Sequence, residues 1–299
     1  MKYAYYPGCS LEATGKEYNQ SAKIVARQLG IELWEIPDWS CCGATAAHNA
    51  DHLLSLALPA RNLAIAEKEG LDVAVPCAAC FNRLRAVEKE VRESETMRAT
   101  ISEIIGTEYK ASNTTRCMLD VMVQGVGLEK IREQVVKPLS GLKLASYYGC
   151  LLVRPPDLTA FDDPEDPVLM DNLIEVLGGE AVKWPYKTEC CGGSLSTVRK
   201  DIGFRLIYEI LRRARDAGAE AIVTACPLCL LNLDMRQAQV AAANNDKLNL
   251  PIFYFTELMG VAMGYAPKDL GLTTHFVNPV PLLEAKEILR HPATRRETA

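Results

Sequence analysis

Ten of the eleven cysteines in this chain fall into two copies of one pattern, and that duplication constrains the fold more than any other feature. Each copy reads a lone cysteine, an adjacent pair followed by glycine, and a CxxC: Cys9, Cys41-Cys42-Gly43, Cys77 and Cys80, then Cys150, Cys190-Cys191-Gly192, Cys226 and Cys229. Between pair and CxxC lie 34 residues in both copies, so those positions repeat at an offset of 149; the first gap is 31 residues in one copy and 39 in the other. Flanking residues repeat too. Tyr5-Tyr6-Pro7-Gly8-Cys9 matches Tyr147-Tyr148-Gly149-Cys150, and Val75-Pro76-Cys77-Ala78-Ala79-Cys80 matches Thr224-Ala225-Cys226-Pro227-Leu228-Cys229. We read two related halves, 1–140 and 141–290, with a charged flexible tail over 291–299.

Local patterning puts a strand before each cysteine group and a helix after it. Tyr3 to Tyr6, Glu32 to Ile36 and Val73 to Val75 are short apolar or β-branched runs, as are Lys143 to Tyr148, Ala181 to Pro185 and Ala221 to Thr224. Stretches of helical period follow: Leu11 to Leu29, Thr45 to Glu69 and Cys80 to Glu95, then Pro167 to Leu177, Leu195 to Ala217 and Cys229 to Ala241. The expected fold is therefore α/β, two pseudo-symmetric halves, each a small parallel sheet flanked by helices with the cysteines at the carboxyl ends of the strands. Residues 110–140 read as a connecting loop and helix between the halves.

Bulk properties narrow the function. With 33 Lys+Arg against 38 Asp+Glu the chain has a net charge of −5 and no basic stripe, which argues against nucleic acid as a partner. The most apolar stretch, Leu250 to Ala266, is interrupted by Glu257, Gly260 and Gly264, so it reads as a buried or partner-facing helix rather than a direct membrane span. The opening residues lack a long apolar run of the secretory type, so the expected location is the reducing cytoplasm. There, eleven cysteines in 299 residues point to metal binding or reactivity rather than to structural disulfides.

A CxxC can hold a metal centre from a turn and the start of a helix, where the helix dipole favours thiolate. Two adjacent cysteines do not easily share one tetrahedral ion and more naturally reach different metal atoms. A zinc site or a cubane iron-sulfur cluster takes four protein ligands, so a repeated set of five implies a spare thiol in each half or a polynuclear cluster of unusual shape. Neither a ferredoxin cysteine run nor a G-x-G-x-x-G fingerprint occurs, so a partner must supply the electrons.

These motifs resemble the CCG-domain family, and within it the catalytic B subunit of heterodisulfide reductases, over nearly the whole chain. The resemblance implies two iron-sulfur clusters, non-cubane [4Fe-4S], held by Cys9, Cys41, Cys42, Cys77 and Cys80 in one half and by Cys150, Cys190, Cys191, Cys226 and Cys229 in the other. It also implies that the clusters reduce a small disulfide to two thiols by one-electron steps. The chain would then work in a hetero-oligomer with two further subunits, one ferredoxin-like and the other a flavoprotein. The same pattern occurs in iron-sulfur subunits of glycolate, lactate and succinate oxidation systems, so electron transfer without disulfide chemistry is the alternative. Zinc in one half is the alternative for the metal. Arg154 and Lys187, close to Cys150 and Cys190, are candidates for holding an anionic substrate tail. Cys117 reads as a core residue, and the pair His48 and His52 as helix-face packing rather than ligands. Gly43, Gly192 and Gly193 read as positions where backbone approaches a cluster or takes positive φ.

Overall fold

The computed structural model describes residues 1–289, apart from the side chain of His48; that side chain and residues 290–299, which include the 291–299 tail, lie outside the described residues. It contains two four-stranded sheets, all strands parallel. The first comprises β1 (Lys2–Tyr5), β2 (Glu32–Glu35), β3 (Val73–Val75) and β4 (Thr115–Cys117), in the order β2-β1-β3-β4. The second comprises β5 (Lys143–Tyr147), β6 (Glu180–Ala181), β7 (Ala221–Thr224) and β8 (Ile252–Tyr254), in the order β6-β5-β7-β8. The expected α/β architecture and its twofold repetition are thus present, with five of the eight strands at the expected places, while the run expected over Ala181 to Pro185 yields only the two-residue strand Glu180–Ala181.

Sequence pattern explains the layering. Val73–Val75 and Ala221–Thr224 are continuous apolar or β-branched runs buried at every position, as a central parallel strand covered by helices on both faces requires. The edge strand Glu32–Glu35 keeps its two glutamates in water. Strand order reverses between β1 and β3, and again between β5 and β7. At such a switch point the connections leave to opposite faces and open a crevice beyond the carboxyl ends of the strands. Cys9 and the Cys77–Cys80 motif flank that crevice in the first half; Cys150 and the Cys226–Cys229 motif flank it in the second.

Two elements differ from expectation. The polar stretch before residue 118 contributes β4, and the connecting segment then runs through a π-helical turn, Val121–Val126, into a helix, Leu128–Glu133. β4 has three residues and little apolar signal; tertiary partners hold it. Val73 N–H donates to the Thr114 carbonyl, and the buried Glu88 carboxylate accepts the Thr115 N–H at 2.6 Å while paired with Arg85 at 2.8 Å. The apolar stretch after Leu250 divides into β8 and the helix Phe255–Ala262, every residue of which is buried. That helix packs on Lys16–Gln28 of the other half, where Tyr18 stacks on Tyr254 at 4.1 Å and Ser21 hydrogen-bonds Thr256 at 2.7 Å. Among the described residues, no helix is long and apolar enough to cross a membrane.

Candidate iron-sulfur centres

Each half gathers its five sulfurs by the same devices. The lone cysteine follows the first strand of its sheet, and the CxxC opens a helix, Ala78–Glu93 or Pro227–Met235, whose N-terminal N–H groups face the sulfurs. The adjacent pair sits on the loop beyond β2 or β6. Its outward member, Cys41 or Cys190, accepts the N–H two residues on, from Gly43 at 3.4 Å or Gly192 at 3.3 Å. Gly43, Gly192 and Gly193 all have positive φ, as expected, and this hairpin-like bend points the two neighbouring side chains apart. Cys42 and Cys191 are buried, whereas Cys41 and Cys190 are exposed.

The sulfur spacings suit shared metal coordination. Cys9 Sγ lies 4.0 Å from Cys41 Sγ, Cys42 Sγ 3.3 Å from Cys80 Sγ, and Cys191 Sγ 3.8 Å from Cys229 Sγ. Thiolates bound at about 2.3 Å in tetrahedral geometry stand about 3.8 Å apart. All eleven cysteines are free thiols. Among the described residues, no three Cys, His, Asp or Glu side chains are arranged to hold one metal ion.

Charge is already concentrated there. Cys42 is held down to about 3 by sulfur hydrogen bonds from Cys41 and Cys80, and Cys190 to about 6 by one from Cys150. Cys191 and Cys226 are lowered, chiefly by hydrogen bonds from Cys229, while Cys41, Cys80, Cys150 and Cys229 are raised as donors. Metal binding requires thiolates, and each half thus carries part of that charge before any metal arrives. Cys77 is pushed up first by its hydrogen bond to Cys226, a contact that joins the CxxC of one half to that of the other. Across the same seam Tyr18 Oη donates to the Ala225 carbonyl at 3.2 Å, and Asn82 Nδ2 donates to the Arg154 carbonyl at 3.0 Å. A cavity of about 60 Å³ lies on this seam, with Ala78 and Ala79 of the first half facing Cys150, Cys190, Cys226 and Cys229 of the second. An open, mainly apolar hollow adjoins Cys150 and includes Leu151, Arg154, Pro155 and Pro164.

The two basic candidates part company. Lys187 is a correction: its ammonium is buried against Asp171 at 2.6 Å, Asp166 at 2.7 Å and the Pro167 carbonyl at 3.0 Å, an internal pair that leaves no bond for a substrate. Burial would lower it, but the two carboxylates hold it above the ordinary lysine value. Arg154 is half-exposed in the hollow beside Cys150, bonded to Glu165, Thr188 and the Pro164 carbonyl. Cys117, buried at the end of β4, is raised chiefly by burial and its sulfur accepts the Asp120 N–H at 3.4 Å, a packing role. His52 is the exposed first residue of the helix His52–Lys68.

Other residues of the site were not singled out by the sequence reading. Gly8 and Gly149 allow the CxxC to close on the lone cysteine, since a Cβ there would stand 3.1 Å from Cys80 Sγ and 2.9 Å from Cys229 Sγ. Their signal was present in the repeated Gly-Cys. Asn232 carried none: its Nδ2 donates to the carbonyls of Cys191 and Gly193 and lies 3.5 Å from Cys191 Sγ.

A family model described as the cysteine-rich CCG domain matches residues 3–85 and 144–234, covering both cysteine sets. The chain belongs to the CCG cysteine-rich domain family. It is 31% identical over 282 residues to the 8-methylmenaquinol:fumarate reductase membrane anchor subunit of Wolinella succinogenes, covering 94% of this chain and 99% of that one. Similarity also extends to the B subunit of the ferredoxin/F(420)H(2)-dependent CoB-CoM heterodisulfide reductase of Methanosarcina acetivorans, 28% identical over 288 residues, 94% of this chain and 96% of that one. Lactate utilization protein A 2 of Bacillus cereus is 21% identical over 238 residues, 79% of this chain and 90% of that one. Among solved structures, a hypothetical protein from Helicobacter pylori shares the fold, with a TM-score of 0.74 and 14% identity over 93% of this chain; the present chain spans 52% of that one.

Proposed function

We propose that the chain is the catalytic, disulfide-reducing subunit of a heterodisulfide reductase-like complex, with one non-cubane [4Fe-4S] cluster in each half. The observation that carries this reading is the seam. Cys77 and Cys226 adjoin there, so two one-electron centres would lie close together, with a cavity against the second sulfur set that reaches the first half at Ala78 and Ala79. When bound, the two clusters would supply one electron each, so that the S–S bond of the substrate breaks and two protons complete two thiols. Cys9, Cys41, Cys42, Cys77 and Cys80 would hold one and Cys150, Cys190, Cys191, Cys226 and Cys229 the other. Ala78 and Ala79 would exclude water from the approach, and Arg154 would orient an anionic tail in the hollow beside Cys150. Electrons would come from a ferredoxin-like partner in the same complex, itself fed by a flavoprotein partner. The likeness to heterodisulfide reductase B subunits over most of the chain supports the reading.

A second reading, electron relay without disulfide chemistry, draws support from the fumarate reductase and lactate utilization relatives. Metal and sulfide analysis of protein purified without oxygen, followed by electron paramagnetic resonance with and without an added thiol, separates them. On the order of eight irons per chain and a thiol-dependent signal are expected. The same iron with a signal blind to thiol would transfer the assignment to the relay, and half the iron with one zinc would remove a cluster from one half.

A further inference from the structure

The duplication extends to a residue that is not a ligand. Tyr6 directly follows β1, and Tyr147 ends β5; each is completely buried. Tyr6 Oη donates at 2.8 Å to the carbonyl of Ser40, the residue before Cys41, and Tyr147 Oη donates at 2.7 Å to the carbonyl of Glu189, the residue before Cys190. Each ring packs on a tryptophan, Trp39 at 5.6 Å and Trp184 at 6.3 Å between centroids. Each lies beside the glycine that precedes the lone cysteine, since a Cβ on Gly8 would meet the Tyr6 ring at 3.4 Å and one on Gly149 the Tyr147 hydroxyl at 3.7 Å. The phenol therefore spans from the lone cysteine to the adjacent pair beneath the sulfurs. Aligning the halves by adjacent letters pairs Tyr6 with Tyr148, because Pro7 has no counterpart. In space the equivalent is Tyr147, while Tyr148 accepts the Met170 N–H.

We propose that Tyr6 and Tyr147 are paired positioning residues, each fixing the cysteine-pair loop of its own half and so setting the electronic properties of the cluster that half would hold. The rationale is geometric. In the first half only the cysteine pair lacks regular structure, since Cys9, Cys77 and Cys80 sit at or in helix starts; in the second half the CxxC opens a helix while Cys150 lies in the bend after β5 and Cys190-Cys191 on a loop. The hydroxyl's bond to the carbonyl ahead of the pair restrains rotation of that peptide, in the first half together with Asn62, whose Nδ2 donates to the same Ser40 carbonyl at 3.0 Å and whose Oδ1 accepts the Ser40 N–H at 2.8 Å, so the larger effect is expected from Tyr147. The apolar ring meanwhile keeps water from the inner face of the sulfurs, and both ligand placement and solvent exposure set cluster potentials.

This inference rests on the cluster reading above, and its test separates the two. In anaerobic wild-type protein, iron content reports the cluster reading. Tyr6→Phe keeps the ring and removes the hydroxyl, so in a redox titration the first-half signal is expected to change its reduced-to-oxidised ratio several-fold at fixed potential, tenfold corresponding to 59 mV for one electron, while the second-half signal stays. Tyr147→Phe should do the reverse. If either variant fails to load iron, or the wild type holds none, alkylation of the metal-free chain reads the clamp directly. Tyr6→Phe should speed the reaction of exposed Cys41 several-fold relative to Cys190, and Tyr147→Phe should reverse that ratio. Unchanged potentials in loaded variants, equal shifts in both halves, or an unaltered Cys41-to-Cys190 ratio would each overturn the proposal.

Discussion

Gly203→Ala sets local propensity against packing, and the structure decides which wins. Gly203 lies within the helix Lys200–Asp216, where replacing glycine by alanine ordinarily gains about 1 kcal/mol. Here an added Cβ would stand 2.5 Å from Ser196 N, 2.6 Å from Ser196 Cα and 2.9 Å from the Leu195 carbonyl carbon. All three are backbone atoms of the short helix Leu195–Val198 that follows the second cysteine pair, so no rotamer change relieves the contact. Forcing a methyl into such packing costs about 1–3 kcal/mol, and the full cost here falls at the upper end because backbone must move. A net loss of about 1–2 kcal/mol follows, read as a fall of several degrees in the thermal midpoint of the metal-free chain. Because Gly192 is packed against Gly203, with a Cβ on it standing 3.3 Å from Gly203 Cα, the displacement reaches the second cysteine pair. Iron retention by the second half should therefore drop while the first half keeps its signal. An increase in the thermal midpoint would refute the reasoning, since it would mean that helix propensity outweighs the close approach.

Cys42→Ser should abolish the paramagnetic signal of the first half and leave the second half's present; equal loss of both would mean that the two sulfur sets are not independent. Lys187→Met should destabilise the fold by about 1–3 kcal/mol in denaturant unfolding, by removing the cation that pairs the largely buried Asp171 and leaving it the Ser146 hydroxyl, yet leave any thiol-induced spectral change intact. His275 is buried with its Nε2 2.8 Å from Glu257 and faces Asp234 and Glu17. Burial lowers it, but Glu257 carries it up to about 9 from 6.5. A group raised in the folded state contributes stability that is complete below pH 6.5 and is lost as pH rises through about 9, here roughly 3 kcal/mol. His275→Gln should flatten that part of the stability profile, and a variant with an unchanged slope between pH 6.5 and 9 would place the titration elsewhere.

The sulfur sets were legible because thiols are scarce and their spacing repeats; ten letters identified both halves, and the apolar runs before them identified five strands and touched a sixth, Glu180–Ala181, at one residue. β4 was not legible, since Thr115–Cys117 pairs with β3 only because Glu88 and Asp72 accept its neighbouring N–H groups from other elements. Lys187 looked available because it stands next to a cysteine group, and its carboxylate partners, Asp166 and Asp171, lie 21 and 16 residues away on a segment that folds back over it. Asn232 and the Tyr147 clamp were silent for the same reason, each defined by a carbonyl about 40 residues distant.

By itself the sequence determined that the chain is a duplicated α/β protein with five thiols at the strand ends of each half, because strand and helix periods and cysteine spacing are local quantities. Only the tertiary structure decided that the two sulfur sets adjoin. Tyr18 of one half holds the carbonyl before Cys226 of the other, and the fully buried helix Phe255–Ala262 packs one of its faces against Lys16–Gln28. Contacts across more than 200 residues depend on how two finished sheets pack, and no spacing along the chain encodes that angle.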